Sequence, residues 1–425
     1  MSPGAESVAG AEVGPTGLAD GGGRAQSGLF GGSVCRPRFL RVRVGSEEGG
    51  QTCGEKDNNG GRTADTGWSD MAGVVRGVKR GIAAGGIVVA ALVTAPANAG
   101  AGSSAAWSLF YQAHVSGFFT SVAVISRTDA WAAGTLFPRQ TVLLRPFLRH
   151  WNGRSWNAVT IPRASAFESE WVAASSAANV WVMGASNGRV MTRVYRFDGL
   201  RWHAVPVPVQ TALADPVVFG PDDVWALGTN GNSPDIFHWN GSRWVGYSVG
   251  TNLWHLSGTS GKDVWAVGLN SVRSFTGRIV AYRWNGSRWL TVSMPHPVST
   301  APDIQVSSIS DVWISGSQVN SNDIPAFVLH WNGHAWSKVT EPTSLPANPG
   351  DLLADGSRGA WLGPEAHWTG QVWQGPVPVF AEGAGGSEGS MGRVPRAASY
   401  WLMTGTINKG STVEEPSIYV YGPVP

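Results

Sequence analysis

Between residues 107 and 421 the apolar residues fall into short runs that are separated by polar, Gly-rich turns. Examples are "NVWVMG" (179–184) and "VMTRVYRF" (190–197). Runs of about four to eight residues that are rich in Val, Trp and Tyr are typical of β-strands. No stretch after residue 100 shows sustained helical periodicity. The pattern therefore predicts an all-β domain.

One strand motif recurs along this domain. It reads "DAWAAG" at 129–134 and "DVWAVG" at 263–268, and successive copies are 40 to 50 residues apart. Its tryptophans, called the core tryptophans below, are Trp131, Trp181, Trp225, Trp265, Trp313, Trp361 and Trp401. A period of this length, made of short strands, is typical of a β-propeller blade with four antiparallel strands. The seven copies predict a seven-bladed propeller in which these tryptophans fill the layers between sheets.

A second motif follows the copies and consists of two aromatic residues around Asn-Gly or Asp-Gly, as in "HWNGHAW" (330–336), with Thr-Gly in their place at 369–370. The dipeptide predicts a hairpin between the third and fourth strands, because both of its residues tolerate positive φ. The pairs are Trp151/Trp156, Phe197/Trp202, Trp239/Trp244, Trp284/Trp289, Trp331/Trp336 and Trp368/Trp373. In the last copy Tyr421 occupies the first position, and Trp107 has the spacing expected of the missing second one. We therefore predict that the N-terminal strand around Trp107 pairs with the C-terminal strands around Tyr421 and closes the ring.

Two polar positions accompany the repeat. Asp129, Asp223, Asp263 and Asp311 precede their core tryptophans by two residues. We expect them to accept backbone N–H groups in the preceding turn. His150, His238 and His330 share one register, immediately before the first aromatic residue of a pair.

The repeat resembles secreted bacterial Trp-rich propellers whose blades carry "DVWAVG…HWNGxxW", and more loosely kelch and galactose-oxidase-like propellers. The resemblance covers Trp107–Tyr421. The double glycine of kelch blades and the Gly-His…Trp-Asp pattern of WD40 blades are missing. The "NGxxW" turn is similar to part of the Asp-box of sialidases. The Ser and Asp that open that box are absent, so sialidase activity is not implied.

Residues 71–99 have the three parts of a secretory signal peptide. A basic segment (76–80) precedes 13 apolar residues (81–93), and Ala97-Asn98-Ala99 supplies the small residues of a cleavage site. Thirteen residues are short for a membrane span. We predict cleavage after Ala99, no membrane insertion of the mature chain, and secretion of residues 100–425. An uncleaved signal anchor is the alternative.

Residues 1–70 are Gly-rich and lack apolar periodicity, so they are predicted to be disordered. A signal peptide that begins this far into a chain indicates that translation starts at Met71. Both cysteines, Cys35 and Cys53, lie upstream of Met71, and the mature chain would contain none.

Charge and motifs exclude several function classes. The net charge is +2 and only 14% of the residues are charged, whereas a nucleic-acid surface needs a clustered basic face. The mature chain lacks a spaced Cys/His set, an Asp-x-Asp-x-Asp-Gly loop and a Gly-Lys-Ser/Thr loop. We therefore expect no cofactor, no metal, no nucleic-acid partner and no catalysis.

Two tryptophans of the domain lie outside the repeat. Trp171 and Trp254 precede their core tryptophans by ten and eleven residues, at the start of the innermost strand. That strand lines the central channel, and aromatic residues at a channel mouth offer stacking surfaces for a ligand. The alternative is that they plug the channel. Further ligand-binding candidates on the same loop face are His255, Phe118, Phe119, Arg139, Arg273 and Asp323.

These features favour a secreted, monomeric, non-catalytic module that binds an extracellular glycan or protein through the loop face of the propeller. One alternative is a carbohydrate-active hydrolase or lyase that uses carboxylates in the funnel. Others are a lectin with one sugar site per blade and a display scaffold without a small-ligand site. The carboxylates available in the loops are Glu168, Glu170, Asp303, Asp323, Asp351 and Glu365.

Overall fold

The computed structural model describes residues 106–423, apart from 138–144, 163, 165–166, 168, 186–191, 209–210, 229–234, 272–275, 296, 319–325, 340–350, 383 and 388. The segment predicted to be disordered (1–70) and the predicted signal peptide (71–99) lie outside the described residues. Every regular element within the described ranges is a β-strand. In this part of the chain no helix has the length and apolar character needed to span a membrane.

The first half of the chain contains β1 (Trp107–Gln112), β2 (Gly117–Ser126), β3 (Asp129–Leu136), β4 (Arg145–Trp151), β5 (Trp156–Val159), β6 (Trp171–Ser176), β7 (Asn179–Ala185), β8 (Thr192–Phe197), β9 (Trp202–Val205), β10 (Leu213–Gly220), β11 (Asp223–Gly228), β12 (Ile236–Trp239) and β13 (Trp244–Tyr247). The second half contains β14 (Asn252–Ser260), β15 (Asp263–Leu269), β16 (Gly277–Trp284), β17 (Trp289–Thr291), β18 (Val298–Ser308), β19 (Asp311–Gln318), β20 (Ala326–Trp331), β21 (Trp336–Val339), β22 (Leu352–Ala354), β23 (Ala360–Leu362), β24 (Ala366–Trp368), β25 (Trp373–Gln374), β26 (Gly385–Ser387), β27 (Met391–Arg393), β28 (Tyr400–Ile407) and β29 (Glu414–Tyr421).

These strands form six antiparallel sheets built mainly from four consecutive strands each. Strands β2–β5, β6–β9, β10–β13 and β22–β25 are separate four-stranded sheets. Strands β14–β17 and β18–β21 repeat the same order, but a short pairing of β16 with β18 joins them into one sheet of eight. The predicted all-β propeller with antiparallel four-strand blades is confirmed. The count of seven blades stays a prediction, because strands β14–β21 form one continuous sheet.

The first strand of the chain completes the last sheet, as the aromatic spacing predicts. Strand β1 pairs antiparallel with β29, and Trp107 lies opposite Tyr421. Both rings contact the core tryptophan Trp361 of the preceding sheet, with ring centroids 5.7 and 4.7 Å away. The indole N–H of Trp107 also donates to the carbonyl of Pro364 at 2.7 Å.

One strand from each group of about four lies beside the corresponding strand of the next group. These inner strands are β2, β6, β10, β14, β18, β22 and β27, and β27 in turn contacts β2. Because inner strands of a propeller surround its central channel, their first residues and the loops between second and third strands share one channel end.

The core tryptophans occupy the layers between sheets, as predicted. All seven are at most 3% exposed. Trp181, for example, packs against the aromatic pair of the following sheet, with ring centroids 6.1 Å from Trp239 and 6.3 Å from Trp244. Aromatic pairs in tilted or edge-to-face contact stabilise a layer by more than their buried area alone. The blades are therefore Trp-rich at their contacts.

The aspartates before the core tryptophans bind side chains rather than the turn backbone that we expected. Asp311 Oδ1 accepts the indole N–H of Trp313 at 2.9 Å and lies 2.8 Å from Nε2 of His330. The His330 ring stacks on Trp313 at 4.0 Å. Equivalent contacts are Asp129–His150, Asp223–His238 and Asp263–Arg283. His367 is instead 3.1 Å from Asp355, six residues before its core tryptophan. The repeated histidines thus belong to the scaffold.

The hairpin prediction is right in place and partly wrong in conformation. The six hairpin glycines have φ between 87° and 94°, where a side chain would be strained. The residue before each of these glycines (Asn in four hairpins, Asp198 and Thr369 in the other two) is not left-handed. Its side chain closes the turn instead, as where Oδ1 of Asn332 accepts the N–H groups of His334 and Ala335, both at 2.9 Å.

Candidate functional site

One residue in or immediately before each inner strand, ten positions before the core tryptophan that follows it, defines a ring around the channel. We call this the ring position. Its occupants in chain order are Ser121, Trp171, Asp215, His255, Asp303, Asp351 and Met391. Because neighbouring inner strands are in contact, these residues lie at one end of the channel. Four successive members are ionisable, and we call those four the channel cluster.

Irregularities in the backbone determine the orientation of the side chains in the channel cluster. Strand β14 has a register shift between Leu253 and His255, and β18 has one between Thr300 and Asp303. Such bulges re-aim side chains and are frequent next to functional sites. Asp215 has φ of 50° although a proline follows it, and both features are sterically unfavourable for this residue. Strain of this kind concentrates at functional positions.

His255 lies between two carboxylates that come from the strands on either side. Its Nδ1 is 3.6 Å from Oδ2 of Asp215 and 3.9 Å from Oδ1 of Asp303. The His255 side chain is 39% exposed, and that of Asp303 is 13% exposed. The imidazole therefore reaches the channel while remaining in contact with two neighbouring sheets.

The same carboxylates accept backbone N–H groups from the next inner strand. Asp215 Oδ2 accepts the N–H of Leu256 at 2.5 Å, and Asp303 Oδ2 accepts the N–H of Leu352 at 2.8 Å. Asp303 Oδ1 also accepts a hydrogen bond from the backbone N–H of the next residue, Ile304, at 2.6 Å. Each carboxylate thus links two sheets as well as contributing charge to the channel.

The carboxylates keep His255 protonated at neutral pH. Burial alone would lower the pKa of His255, but the charges of Asp303, Asp215 and Asp351 raise it to about 10. The exposed surface of the imidazole faces a channel lined by these groups, so the carboxylate charges dominate. Burial also raises the pKa of Asp303, and the charge of Asp215 adds to this effect, whereas His255 and the N–H of Leu352 oppose it. The cluster is an imidazolium surrounded by carboxylates, one of which holds a proton more readily than usual.

This arrangement predicts a pH-dependent stability. A raised pKa means that the folded state binds the His255 proton more tightly than the unfolded state does. The stabilisation is then complete below about pH 6.5 and lost as the pH rises to about 10. After allowance for solvent screening we expect about 1–2 kcal/mol.

Urea unfolding between pH 6 and pH 10 measures this effect. His255→Asn removes this part of the slope, whereas His238→Asn, at a histidine that faces an aspartate within one blade, leaves it in place. Equal slopes in wild type and His255→Asn would contradict the assignment.

The predicted site residues fall into three groups. Trp171 and Trp254 are half-buried at the channel end and also pack against the layers between sheets. Phe118 is half-buried and contacts Phe137, with ring centroids 5.4 Å apart. Phe119 is fully buried against Phe147, so it belongs to the core and not to the channel surface. Arg139, Arg273 and Asp323 lie outside the described residues.

Sequence reasoning names His255, Asp303 and Asp351 but misses Asp215. The signal that would have identified Asp215 is its spacing of ten residues before Trp225, which equals that of His255 before Trp265. Among the described residues, no group of three or more His, Cys, Asp or Glu side chains is arranged to hold a metal ion.

Comparison with solved structures shows the architecture. A catalytically inactive virginiamycin B lyase from Staphylococcus aureus, solved with quinupristin, superposes with a TM-score of 0.53 at 11% identity, covering 75% of this chain and 99% of that chain. A streptogramin B lyase gives a TM-score of 0.52 at 11% identity, covering 73% and 96%. This chain has a β-propeller fold. At these identities the likeness extends to the fold alone.

A third solved structure, YCF48 bound to a D1 peptide, gives a TM-score of 0.49 at 13% identity and covers 74% of this chain and 96% of that chain. No protein-family model matches the chain, and no curated protein matches it by sequence.

Proposed function

We propose that this protein is a secreted, seven-bladed propeller that binds an extracellular glycan or protein at the channel end bearing the ring position, without catalysing a reaction. The observation that supports this proposal is the contrast between repeat positions. The core tryptophans and the paired aromatic residues pack between sheets. The residue at the ring position, in contrast, differs in size and charge from one inner strand to the next. Residues that a repeat does not require are those available for recognition.

Two features support the architecture in this proposal. The inner strands contact one another in a closed sequence from β2 to β27 and back to β2. The pairing of β1 with β29 supplies the outer strand of the last blade. Secretion, as part of this proposal, rests on the signal peptide predicted for residues 71–99.

The ligand contacts in this proposal are aromatic faces beside charged groups. Trp171 and Trp254 stand on inner strands β6 and β14 at the channel end, next to Asp215 and His255. Concave sites combine apolar surface with a few polar groups that fix orientation. Indole faces stack on sugar rings or on peptide side chains, and the channel cluster supplies hydrogen-bond donors and acceptors.

Arrays of glycans and of peptides, probed with the purified secreted protein, test this function. Trp171→Leu and Trp254→Leu keep an apolar side chain but remove the indole face, and we expect at least about tenfold weaker binding, as for aromatic anchors in other interfaces. The control is Leu200→Ala in an outer hairpin, where the side chain is 91% exposed. Its binding should equal that of the wild type.

Other outcomes assign other functions. Binding that survives both leucine variants but is lost in Trp331→Ala would indicate a lectin with sites at the paired aromatics. Absence of both binding and turnover would favour a display scaffold.

A carbohydrate-active hydrolase or lyase is the second candidate, and one observation favours it. Burial raises the pKa of Asp303, and Asp215 lies on the other side of His255 from it. A protonated and an ionised carboxyl in one cleft can act as acid and base on a glycosidic bond. Release of reducing ends from polysaccharides, abolished in Asp303→Asn, would establish this activity and defeat the non-catalytic proposal.

A further inference from the structure

Polar contacts run without interruption across four successive inner strands at the channel end. Asp215 of β10 accepts the N–H of Leu256 in β14, and His255 of β14 faces both Asp215 and Asp303. Asp303 of β18 then accepts the N–H of Leu352 in β22. The junctions of β10, β14, β18 and β22 at this end therefore depend on ionisable groups.

Between β2 and β6, an uncharged side chain binds the backbone of the next inner strand. Ser121 Oγ accepts the N–H of Val172 at 3.1 Å and donates to the carbonyl of Val172 at 3.2 Å. The hydroxyl forms hydrogen bonds with both backbone groups and, being uncharged, causes no electrostatic repulsion. Between β10 and β18 the corresponding acceptors are carboxylates, which repel each other unless a cation lies between them.

His255 is the cation in that position. The groups that face it are Asp215 from β10, Asp303 from β18 and Asp351 at the start of β22, while the cross-strand neighbour in β15 is the apolar Val267. With any two of these three carboxyls ionised, the negative charge exceeds the single positive charge of the imidazolium. Loss of the imidazolium would leave partly buried like charges without compensation, which is strongly unfavourable.

We propose that protonated His255 is the counter-charge that holds the channel ends of β10, β14 and β18 together, so that neutralising it opens this end of the channel locally while the rest of the propeller stays folded. The raised pKa of His255, to about 10 through the carboxylates, supports a permanent positive charge at neutral pH. The inference concerns the inner strands themselves and does not depend on whether a ligand binds there.

Hydrogen–deuterium exchange of the purified secreted protein at pH 7 tests the proposal. The reporters are the amides of Leu256 and Leu352, which donate to Asp215 and Asp303. His255→Asn keeps a polar side chain of similar reach but removes the charge. We expect exchange at both reporters to become faster by at least about tenfold, with unchanged exchange in β28 and β29.

His255→Lys is the variant that separates charge from shape. It restores a cation in a different form, and we expect it to recover most of the protection at Leu256 and Leu352. His238→Asn is the matched control, because it removes a histidine that faces an aspartate within a single blade. That variant should leave both reporters as protected as in the wild type.

Two results would overturn the proposal: wild-type protection at both reporters in His255→Asn, or a lysine variant as poorly protected as the asparagine variant. Should His255→Asn fail to fold, His255→Lys decides alone. Folding with protected reporters supports the charge requirement, and unprotected reporters in a folded lysine variant refute it.

Discussion

Replacing Trp313 by alanine lowers the free energy of unfolding by about 3–5 kcal/mol, a large share of the total stability of a typical domain. The indole is fully buried, and it packs in the layer that also contains Trp368 and Trp373 of the next sheet. Truncation leaves a cavity in that layer. It also removes the indole N–H from Asp311 and the stacking surface from His330. Urea unfolding followed by circular dichroism measures the change.

Two further variants separate the causes of this effect. Trp313→Phe keeps most of the buried ring but removes the N–H, and we expect a loss of about 1–3 kcal/mol from the missing hydrogen bond to Asp311 and the smaller ring. Leu200→Ala, at a largely exposed position, should change stability by less than about 0.5 kcal/mol. A Trp313→Ala variant as stable as Leu200→Ala would show that the core tryptophans do not hold the sheet layers together.

A chain that starts at Ala113, and therefore lacks β1, loses cooperative folding and associates. Strand β29 then presents unpaired N–H and C=O groups, a template for pairing with other chains. Trp361 simultaneously loses its edge contact with Trp107. We expect a broad thermal transition at lower temperature and a larger species in size-exclusion chromatography.

Moving the same strand restores the fold if pairing is what matters. Because Trp107 lies opposite Tyr421, residues 106–112 can be joined after Tyr421 through a four-residue Asn-Gly turn like those of the other hairpins. This permuted chain should regain a sharp transition and monomeric behaviour. Unchanged stability of the shortened chain would mean that ring closure contributes little.

Much of the architecture can be predicted from the sequence because each blade repeats the same physical requirement. A buried tryptophan and a hairpin pair must recur wherever one sheet packs on the next, so the core tryptophans and the closing partner Trp107 are visible as a period. The sequence-derived role of Asp311 is wrong for a related reason. Its partners Trp313 and His330 lie on different strands, and a linear pattern does not show which groups on them meet.

The channel residues are harder to predict because small backbone irregularities decide their orientation. Phe118 and Phe119 are neighbours in sequence and point to opposite sides of β2. The register shift between Phe119 and Ser121 places Phe119 in the core, and a slip of one residue would exchange the two. Asp215 could not be predicted because the residues that it contacts, His255 and Leu256, belong to the next sheet. They are about forty residues away in the sequence.

The pairing of β1 with β29 has a consequence for the order of events during folding. Ser108, in β1, bonds the carbonyl of Val420, a partner 312 positions away, whereas the other outer strands pair with the strand just before them. Contacts of such separation form late, because the entropy of closing so long a loop must first be overcome. Among the described strands β1 is synthesised before all others and β29 after them. Strand β1 therefore has no partner until β29 has been made.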